Sequence, residues 1–123
     1  MQTAADGLED NEEVTLKSPF HPNEYAPRLS CQYIINTNAP FIRMAFDVFV
    51  TEYLYDVFEV GLGPNVSVDT RVLRISGDEA PTSLTLNASM VWITFKSDSY
   101  SERDGYMLRI WSSSVYGKRK EKT

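Results

Sequence analysis

The sequence predicts an all-β protein that folds as an antiparallel β-sandwich. Three observations predict it: short segments alternate between apolar and polar residues, turn-forming residues separate them roughly every ten residues, and no long segment shows a helical period. This spacing is typical of two packed antiparallel sheets. The chain has 123 residues, which is the size of one domain and enough to bury a core.

The clearest strand is Phe41–Val50, where alternation predicts that Ile42, Met44, Phe46 and Val48 share the buried face. Turn-forming residues bound six further segments, and these are predicted to be the strands Ser30–Asn36, Asp56–Val60, Val72–Ile75, Ser83–Leu86, Met90–Phe95 and Gly105–Trp111. The last two are also predicted to bury one apolar face each, made of Val91, Ile93 and Phe95, and of Tyr106, Leu108 and Ile110.

Charge divides the chain into three parts, although the total is only −5. Residues 1–13 carry acids and no base, and the last residues are mostly basic. We therefore predict an acidic flank at 1–13, a domain in the middle and a basic tail or linker at the end. The order of the motifs described below sets the domain at 14–112 and the tail at 113–123. The acidic body has no basic stripe, which argues against nucleic-acid binding. No apolar run is long enough to predict a membrane span.

The sequence favours a protein that is not an enzyme. It has one cysteine and one histidine, Cys31 and His21, and no nucleophile, phosphate-binding or metalloprotease motif accompanies them. A single cysteine forms no internal disulfide, and these two residues are too few for a zinc site. Because Cys31 lies in a predicted strand, we expect a reduced, buried thiol that packs as a small apolar residue.

Carboxylates at strand ends are the most informative polar residues. Glu52 ends the long strand, Asp56 begins the next, and Asp98 follows Phe95 shortly after another strand. Carboxylates that lie close together repel, so they need a cation or protons. Periodicity alone leaves two interpretations open, a cation site and separate solvated acids.

Two triplets in predicted turns fit the N-glycosylation pattern, and they begin at Asn65 and Asn87. Such triplets also arise by chance. They predict a glycoprotein only if the chain passes through a secretory compartment.

The order of short motifs along residues 14–112 resembles that of a CUB domain. The motifs similar to those of the family are Ser18–Tyr25, Cys31–Ile35, Ile42–Glu52, Tyr55–Val60, Ile75–Gly77, Val91–Asp98 and Gly105–Tyr106. The resemblance implies a jelly-roll-like sandwich. It also implies a non-catalytic, extracellular or secreted protein-binding module that is part of a larger multidomain protein.

The chain departs from this family in its cysteines. CUB domains usually carry four cysteines in two disulfides, and only Cys31 matches one of these positions. Cys31 matches the second cysteine of the family. The resemblance places the first within residues 1–10, the third in the turn between Glu52 and Tyr55, and the fourth at Ser76, and none of these three is present.

The resemblance also assigns a site. The acidic calcium ligands of the family fall on Glu52, Asp56 and Asp98, which favours Ca²⁺ over the interpretation as solvated acids. Tyr25 takes the place of a tyrosine that lies beside this acidic edge. The resemblance therefore implies that Tyr25, Glu52 and Asp98 bind a Lys or Arg side chain of a protein ligand. The alternative of a purely structural calcium, with ligand binding elsewhere, stays open.

Two other functions remain open. One is a metal-free protein-interaction domain that binds through exposed aromatic residues such as Tyr53, Trp92 or Tyr100. The other is a lectin-like sandwich that binds glycans, which a platform of aromatic rings on one sheet face would favour.

Overall fold

A computed structural model describes residues 2–8, 12–19, 23–98 and 103–114. These residues form nine strands and one short 3₁₀ turn at Val68–Thr70. The strands are β1 Gln2–Leu8, β2 Glu13–Lys17, β3 Ser30–Thr37, β4 Phe41–Val50, β5 Val57–Leu62, β6 Arg71–Ile75, β7 Ser83–Leu86, β8 Met90–Lys96 and β9 Gly105–Ser113. None of the described segments is a helix with the length and apolar character that a membrane crossing needs.

The strands form two sheets, which confirms the predicted β-sandwich. The larger sheet has the order β1-β3-β8-β5-β6 and the smaller sheet has the order β2-β9-β4-β7. β1 pairs with β3 in parallel, and the other described strand pairs are antiparallel. Because β5 and β8 run in opposite directions, the start of β5 lies beside the end of β8 at one end of the larger sheet.

A bulge in β4 corrects one predicted face. The pairing of β4 with β9 shifts between Phe46 and Val48, so that Asp47 is an extra residue. A bulge of this kind reverses the inward and outward alternation beyond it. Phe49 is therefore buried, and Val48, which alternation placed on the buried face, is only half-buried.

The N-terminal strand was not predicted from the sequence. β1 lies inside the segment assigned to the acidic flank, and its alanines, aspartate and glycine have low strand propensity. Its pairing with β3 is a long-range contact that local patterning does not reveal. The domain limits at residues 14 and 112 stay predictions, and the basic tail from residue 115 onward lies outside the described residues.

The core between the sheets is rich in edge-to-face aromatic contacts. The ring of Tyr106 lies 5.0 Å from that of Phe95, and the ring of Phe95 lies 5.0 Å from that of Tyr25. This chain of rings leads from the middle of the core to the end where β5 starts and β8 finishes. Cys31 is buried beside it, and burial raises the pKa of its thiol, as expected for an unreactive cysteine.

Trp92 corrects a second expectation. The sequence placed it among the exposed aromatics, but only 1% of its surface is exposed. Its ring lies over Gly61 on the outer face of the larger sheet, where a Cβ atom on Gly61 would be 2.1 Å from the ring. Its indole N–H donates to Thr70 Oγ1 at 3.0 Å, so the loop before β6 covers the ring.

Candidate metal centre

The structure brings Glu52, Asp56 and Asp98 together at one end of the sandwich. One carboxylate oxygen from each lies within 4.8 Å of the others. Glu52 follows β4 of the smaller sheet, while Asp56 precedes β5 and Asp98 follows β8 of the larger sheet. This group, called the acidic triad below, therefore bridges the two sheets.

Asp56 is the buried centre of the acidic triad. Its Oδ2 accepts the hydroxyl of Tyr25 at 2.5 Å, and its Oδ1 accepts the backbone N–H of Asp98 at 2.8 Å. A carboxylate oxygen can accept two bonds, and each oxygen of Asp56 accepts one of these two hydrogen bonds. A lone pair on each oxygen therefore stays available for a cation. The two bonds fix the orientation of the carboxylate.

A tight turn places Glu52 next to Asp56. The carbonyl of Glu52 accepts the N–H of Asp56 at 3.0 Å and that of Tyr55 at 3.3 Å, and Leu54 within the turn has φ 69°. The N–H of Glu52 donates to the Tyr25 hydroxyl at 3.2 Å. One tyrosine oxygen thus positions two residues of the acidic triad.

The same turn is hydrogen-bonded to the residue that follows β6. The N–H of Leu54 donates to Ser76 Oγ at 2.9 Å. Leu54 lies in the turn, and Ser76 at the position, where the family resemblance places the third and fourth cysteines. A hydrogen bond therefore joins the two segments that a disulfide would otherwise join.

Asp98 is held by the loop before β3. Its carbonyl accepts the N–H of Arg28 at 2.7 Å. Next to it, Ser97 Oγ accepts the N–H of Leu29 at 2.8 Å and donates to the carbonyl of Ala26 at 2.9 Å. These bonds fix the backbone on which Asp98 presents its carboxylate.

The surroundings of Asp56 disfavour its ionised form. Burial is the main cause that raises the pKa of Asp56 above its ordinary value, and the charge of Asp98 adds to the effect. The hydrogen bonds from Tyr25 and from the Asp98 backbone oppose this shift. Burial and the contact with Asp56 raise the pKa of Tyr25, so its hydroxyl stays a donor. The arrangement suits a cation that neutralises the carboxylates.

Tyr25 lies where the resemblance implied, but it is buried. Only 1% of its surface is exposed, because its ring packs on Phe95. Glu52 and Asp98 are half-buried, in contrast to the fully buried Asp56, although the Oε1 atom of Glu52 is itself buried. Within the described chain, Tyr25 therefore acts on the site through Asp56 and Glu52.

The other candidate residues lie apart from the acidic triad. Asn65 and Asn87 are exposed in turns at the opposite end of the sandwich, where β5 finishes and β8 starts. Tyr53 is exposed in the turn beside the acidic triad. His21 and Tyr100 lie outside the described residues.

Serine and threonine hydroxyls also hold this end together, and the sequence did not predict their role. Thr51 Oγ1 donates to the carbonyl of Asp56 at 2.8 Å and accepts the N–H of Gly77 at 3.0 Å. Ser97 and Ser76 have similar roles. Serine and threonine at strand ends are common, and their partners here are mostly distant in sequence, so no local pattern distinguishes them.

The fold and the site define a class of protein: a β-sandwich that carries an acidic, loop-borne site at one end. The family profile described as "CUB domain" matches residues 6–110. The chain therefore belongs to the CUB domain family, which confirms the resemblance seen in its motifs.

Curated relatives are much longer than this chain. It is 30% identical to cubilin of Rattus norvegicus over 125 residues, a match that covers 91% of this chain and 3% of cubilin. It is 27% identical to fibropellin-1 of Strongylocentrotus purpuratus over 103 residues, which covers 79% of this chain and 10% of that protein. The chain thus spans a small part of each relative.

Solved structures share the fold. The MASP-1 CUB2 domain bound to Ca²⁺ has a TM-score of 0.70 and 22% identity, and the match covers 88% of this chain and 97% of that one. The CUB1-EGF-CUB2 domain of human MASP-1/3 has a TM-score of 0.72 and 25% identity over 90% of this chain and 43% of that one. The full extracellular region of zebrafish Gpr126/Adgrg6 has a TM-score of 0.76 and 21% identity over 91% and 14%.

Proposed function

We propose that this chain is a non-catalytic, extracellular protein-binding module that holds one Ca²⁺ in its acidic triad. The observation that carries this proposal is the approach of the carboxylate oxygens of Glu52, Asp56 and Asp98 to within 4.8 Å of one another. In a folded protein such a group is costly unless a cation neutralises it. The MASP-1 CUB2 domain, which has the same fold, was solved bound to Ca²⁺.

The donor set favours calcium among the common metal ions. All the side-chain donors of the acidic triad are oxygens, and it contains no cysteine or histidine of the kind that zinc prefers. Ca²⁺ takes about six to eight oxygens, so backbone carbonyls and waters would complete its shell. The carboxylates of the acidic triad lie on loops that are already positioned by the hydrogen bonds from Tyr25 and from the Asp98 backbone to Asp56.

Calcium would leave this end of the molecule negative. The ion cancels two of the three charges of the acidic triad, so one negative charge remains. We propose that the edge formed by Tyr25, Glu52 and Asp98 receives a Lys or Arg side chain of a protein ligand. Glu52 and Asp98 would contact the Lys or Arg side chain, and the buried Tyr25 would hold Glu52 and Asp56 in place through its hydroxyl.

The proposed extracellular setting accounts for the sequons. The match to the extracellular region of zebrafish Gpr126/Adgrg6 supports this setting. The small share of its relatives that this chain spans supports a module of a larger multidomain protein. We propose that Asn65 and Asn87 carry glycans. Both are exposed at the end opposite the acidic triad, so the glycans would leave the docking edge open.

One observation favours a second candidate, protein binding without metal. Tyr53, Leu54 and Tyr55 are all exposed in the turn beside the acidic triad. Exposed tyrosines are enriched at protein interfaces. In this alternative the turn itself is the contact surface and calcium has no effect on binding.

Thermal unfolding with calcium and with chelator tests the metal site. A ligand bound only by the folded state stabilises it by mass action, so excess calcium should raise the melting temperature by about 10 °C at a hundredfold excess over Kd. Asp98→Asn should abolish the increase. Asp69→Asn is the matched control, because Asp69 is exposed at the opposite end. Melting curves that do not respond to calcium would refute the site.

NMR titration with a Lys-containing peptide, acetylated and amidated at its ends, tests the docking edge. Binding should require calcium, and Glu52→Gln should weaken it. Glu79→Gln is the control, since Glu79 is exposed outside the acidic triad. Peptide binding that is the same with chelator would instead support the metal-free alternative.

A further inference from the structure

A cleft of about 270 Å³ lies on the outer face of the larger sheet. Its floor is formed by β5 and β8, and its walls carry Glu59, Arg74, Thr94 and Lys96. Leu54 and Tyr55, which lie in the turn between β4 and β5, line one side of the cleft. We call this feature the basic cleft.

The strand register fixes the charged groups of the basic cleft. Glu59 of β5 pairs with Arg74 of β6 on one side and with Thr94 of β8 on the other. Directly paired residues project from the same face of a sheet. Lys96 is two residues beyond Thr94 on β8, so it lies on that face as well. The charged groups of the cleft therefore lie on strands, whereas Leu54 and Tyr55 belong to the turn between Glu52 and Asp56.

The basic cleft has an excess of positive charge. Glu59 Oε2 is 2.6 Å from Arg71 Nη1 and 3.4 Å from Arg74 Nε, so one carboxylate is shared by two guanidinium groups. Lys96 is exposed and forms no ion pair with a residue that the structure describes. The lining itself holds two cations, Arg74 and Lys96, and one anion, Glu59, whose carboxylate also pairs with Arg71 outside the lining, in a chain whose net charge is −5.

The rim of the basic cleft is apolar and exposed. Leu54 is 59% exposed and Tyr55 is 67% exposed. A ligand with an anionic group and an apolar group would pair with Arg74 and Lys96 and cover this rim. An acidic residue of a protein next to an apolar residue has this chemistry.

We propose that the basic cleft binds an Asp or Glu side chain of a protein partner, with a neighbouring apolar side chain packed on Leu54 and Tyr55. Its charged groups are not those of the calcium edge and do not depend on calcium, although its apolar rim lies in the turn that presents Glu52 and Asp56. A carboxylate would pair with the Arg74 guanidinium, whose Nε–Glu59 contact leaves other N–H donors available.

A sulfated polysaccharide fits the basic cleft less well. Such a chain needs a long track of bases, whereas the lining supplies only Arg74 and Lys96 together with Glu59. The net charge of −5 also repels a polyanion at long range. The apolar rim has no role in binding a sulfated sugar, but it suits a protein interface.

NMR titration of the full chain with a short peptide, acetylated and amidated, tests the proposal. The peptide has two glutamates that flank a leucine, and its control has glutamines in their place. We expect saturable shifts of the Arg74, Thr94 and Lys96 amides with the glutamate peptide only. They should persist with chelator, so that failure of the calcium site and failure of the basic cleft are separate outcomes.

Variants decide whether the charges of the basic cleft cause the binding. Arg74→Gln and Lys96→Gln should each weaken binding by about fivefold, as expected for a partly exposed ion pair. Lys17→Gln is the control, because Lys17 is exposed on the smaller sheet. Unchanged binding by the Arg74→Gln, Lys96→Gln double variant would overturn the proposal. Tighter binding of a heparin-derived tetrasaccharide than of the glutamate peptide would overturn it as well.

Discussion

The two ends of the sandwich are stabilised by different interactions. At the acidic end, buried polar groups join segments that are far apart in sequence, as in the bonds of Asp56 to Tyr25 and to Asp98. At the opposite end, the side-chain hydrogen bonds of Ser67 and Thr37 are local, reaching the backbone N–H groups of Asp69 and Ala39 two residues away. There, Trp92 packs tightly over Gly61.

This difference indicates that function and stability are linked at the acidic end. A buried carboxylate with several partners is difficult to replace, because each partner would lose its hydrogen bond inside the protein. The opposite end depends on the packing of Trp92 over Gly61 and on the hydrogen bond from Trp92 to Thr70, and we expect its exposed turns to tolerate polar changes. Substitutions at the two ends should therefore differ in size and in their dependence on calcium.

The largest expected effect comes from Asp56→Ala. It leaves the Tyr25 hydroxyl and the Asp98 N–H without their acceptor in a buried site, so we expect a loss of about 4 kcal/mol. Urea unfolding in excess calcium measures it, because the ion offsets the cost of the buried charge that would otherwise mask the loss of the hydrogen bonds. Asp69→Ala, an aspartate at the opposite end, should change stability by less than about 0.5 kcal/mol. Equal losses for the two variants would show that the two ends do not differ.

Acidification should remove the effect of calcium at the acidic end. Burial raises the pKa of Asp56 in the folded chain. Without calcium, its contribution to stability is therefore greatest below the unfolded pKa and is lost as pH rises through the folded pKa. Calcium binds the ionised carboxylate, so its stabilisation is lost as pH falls through that raised pKa.

The measurement is the difference in melting temperature with and without calcium at several pH values between about 4 and 7. The difference should shrink on acidification, beginning above the range in which an ordinary aspartate titrates. A difference that stays constant over this range would contradict a role for Asp56 as a ligand.

At the opposite end, the largest effect should come from Gly61→Ala. The added methyl group would overlap the Trp92 ring, so we expect a loss of about 2 kcal/mol from overpacking. The tryptophan environment would report the change by near-UV circular dichroism. Calcium affinity should not change. A shift in calcium affinity would mean that the two ends are coupled.

A smaller effect should come from Ser76→Ala, which removes the acceptor of the Leu54 N–H. Because this bond lies at the place of the missing disulfide and is partly buried, we expect a loss of about 1 kcal/mol. Ser67→Ala removes a similar bond that is exposed at the opposite end, and it should cost less. Chemical denaturation of both variants provides the comparison, and a larger loss for Ser67→Ala would reverse it.

Much of the fold was predictable because strand alternation is a local property. The bounds of β4 and β7 agree with the prediction, and Val91, Ile93 and Phe95 are buried as expected. The bulge at Asp47 was not predictable, because it depends on the pairing of β4 with β9. The parallel pairing of β1 with β3 was missed for the same reason, since it is a long-range contact.

The candidate site was predictable in its residues but not in its construction. Motif order located Glu52, Asp56 and Asp98, and their position at strand ends explains why they meet. Burial of Tyr25 depends on its packing against Phe95, which is 70 residues away in the sequence. Burial of Trp92 depends on Gly61 and on the loop that contains Thr70. Such contacts arise only in the assembled fold.

Calorimetric titration of calcium into the purified chain tests the central claim most directly. We predict one Ca²⁺ per chain for the wild type and for Asp69→Asn, and no measurable binding for Asp98→Asn. Asparagine preserves the backbone N–H that Asp56 accepts, so this variant removes a carboxylate charge with little change in structure. No binding by the wild type, or binding by Asp98→Asn equal to that of the wild type, would contradict the claim that the acidic end is a calcium site.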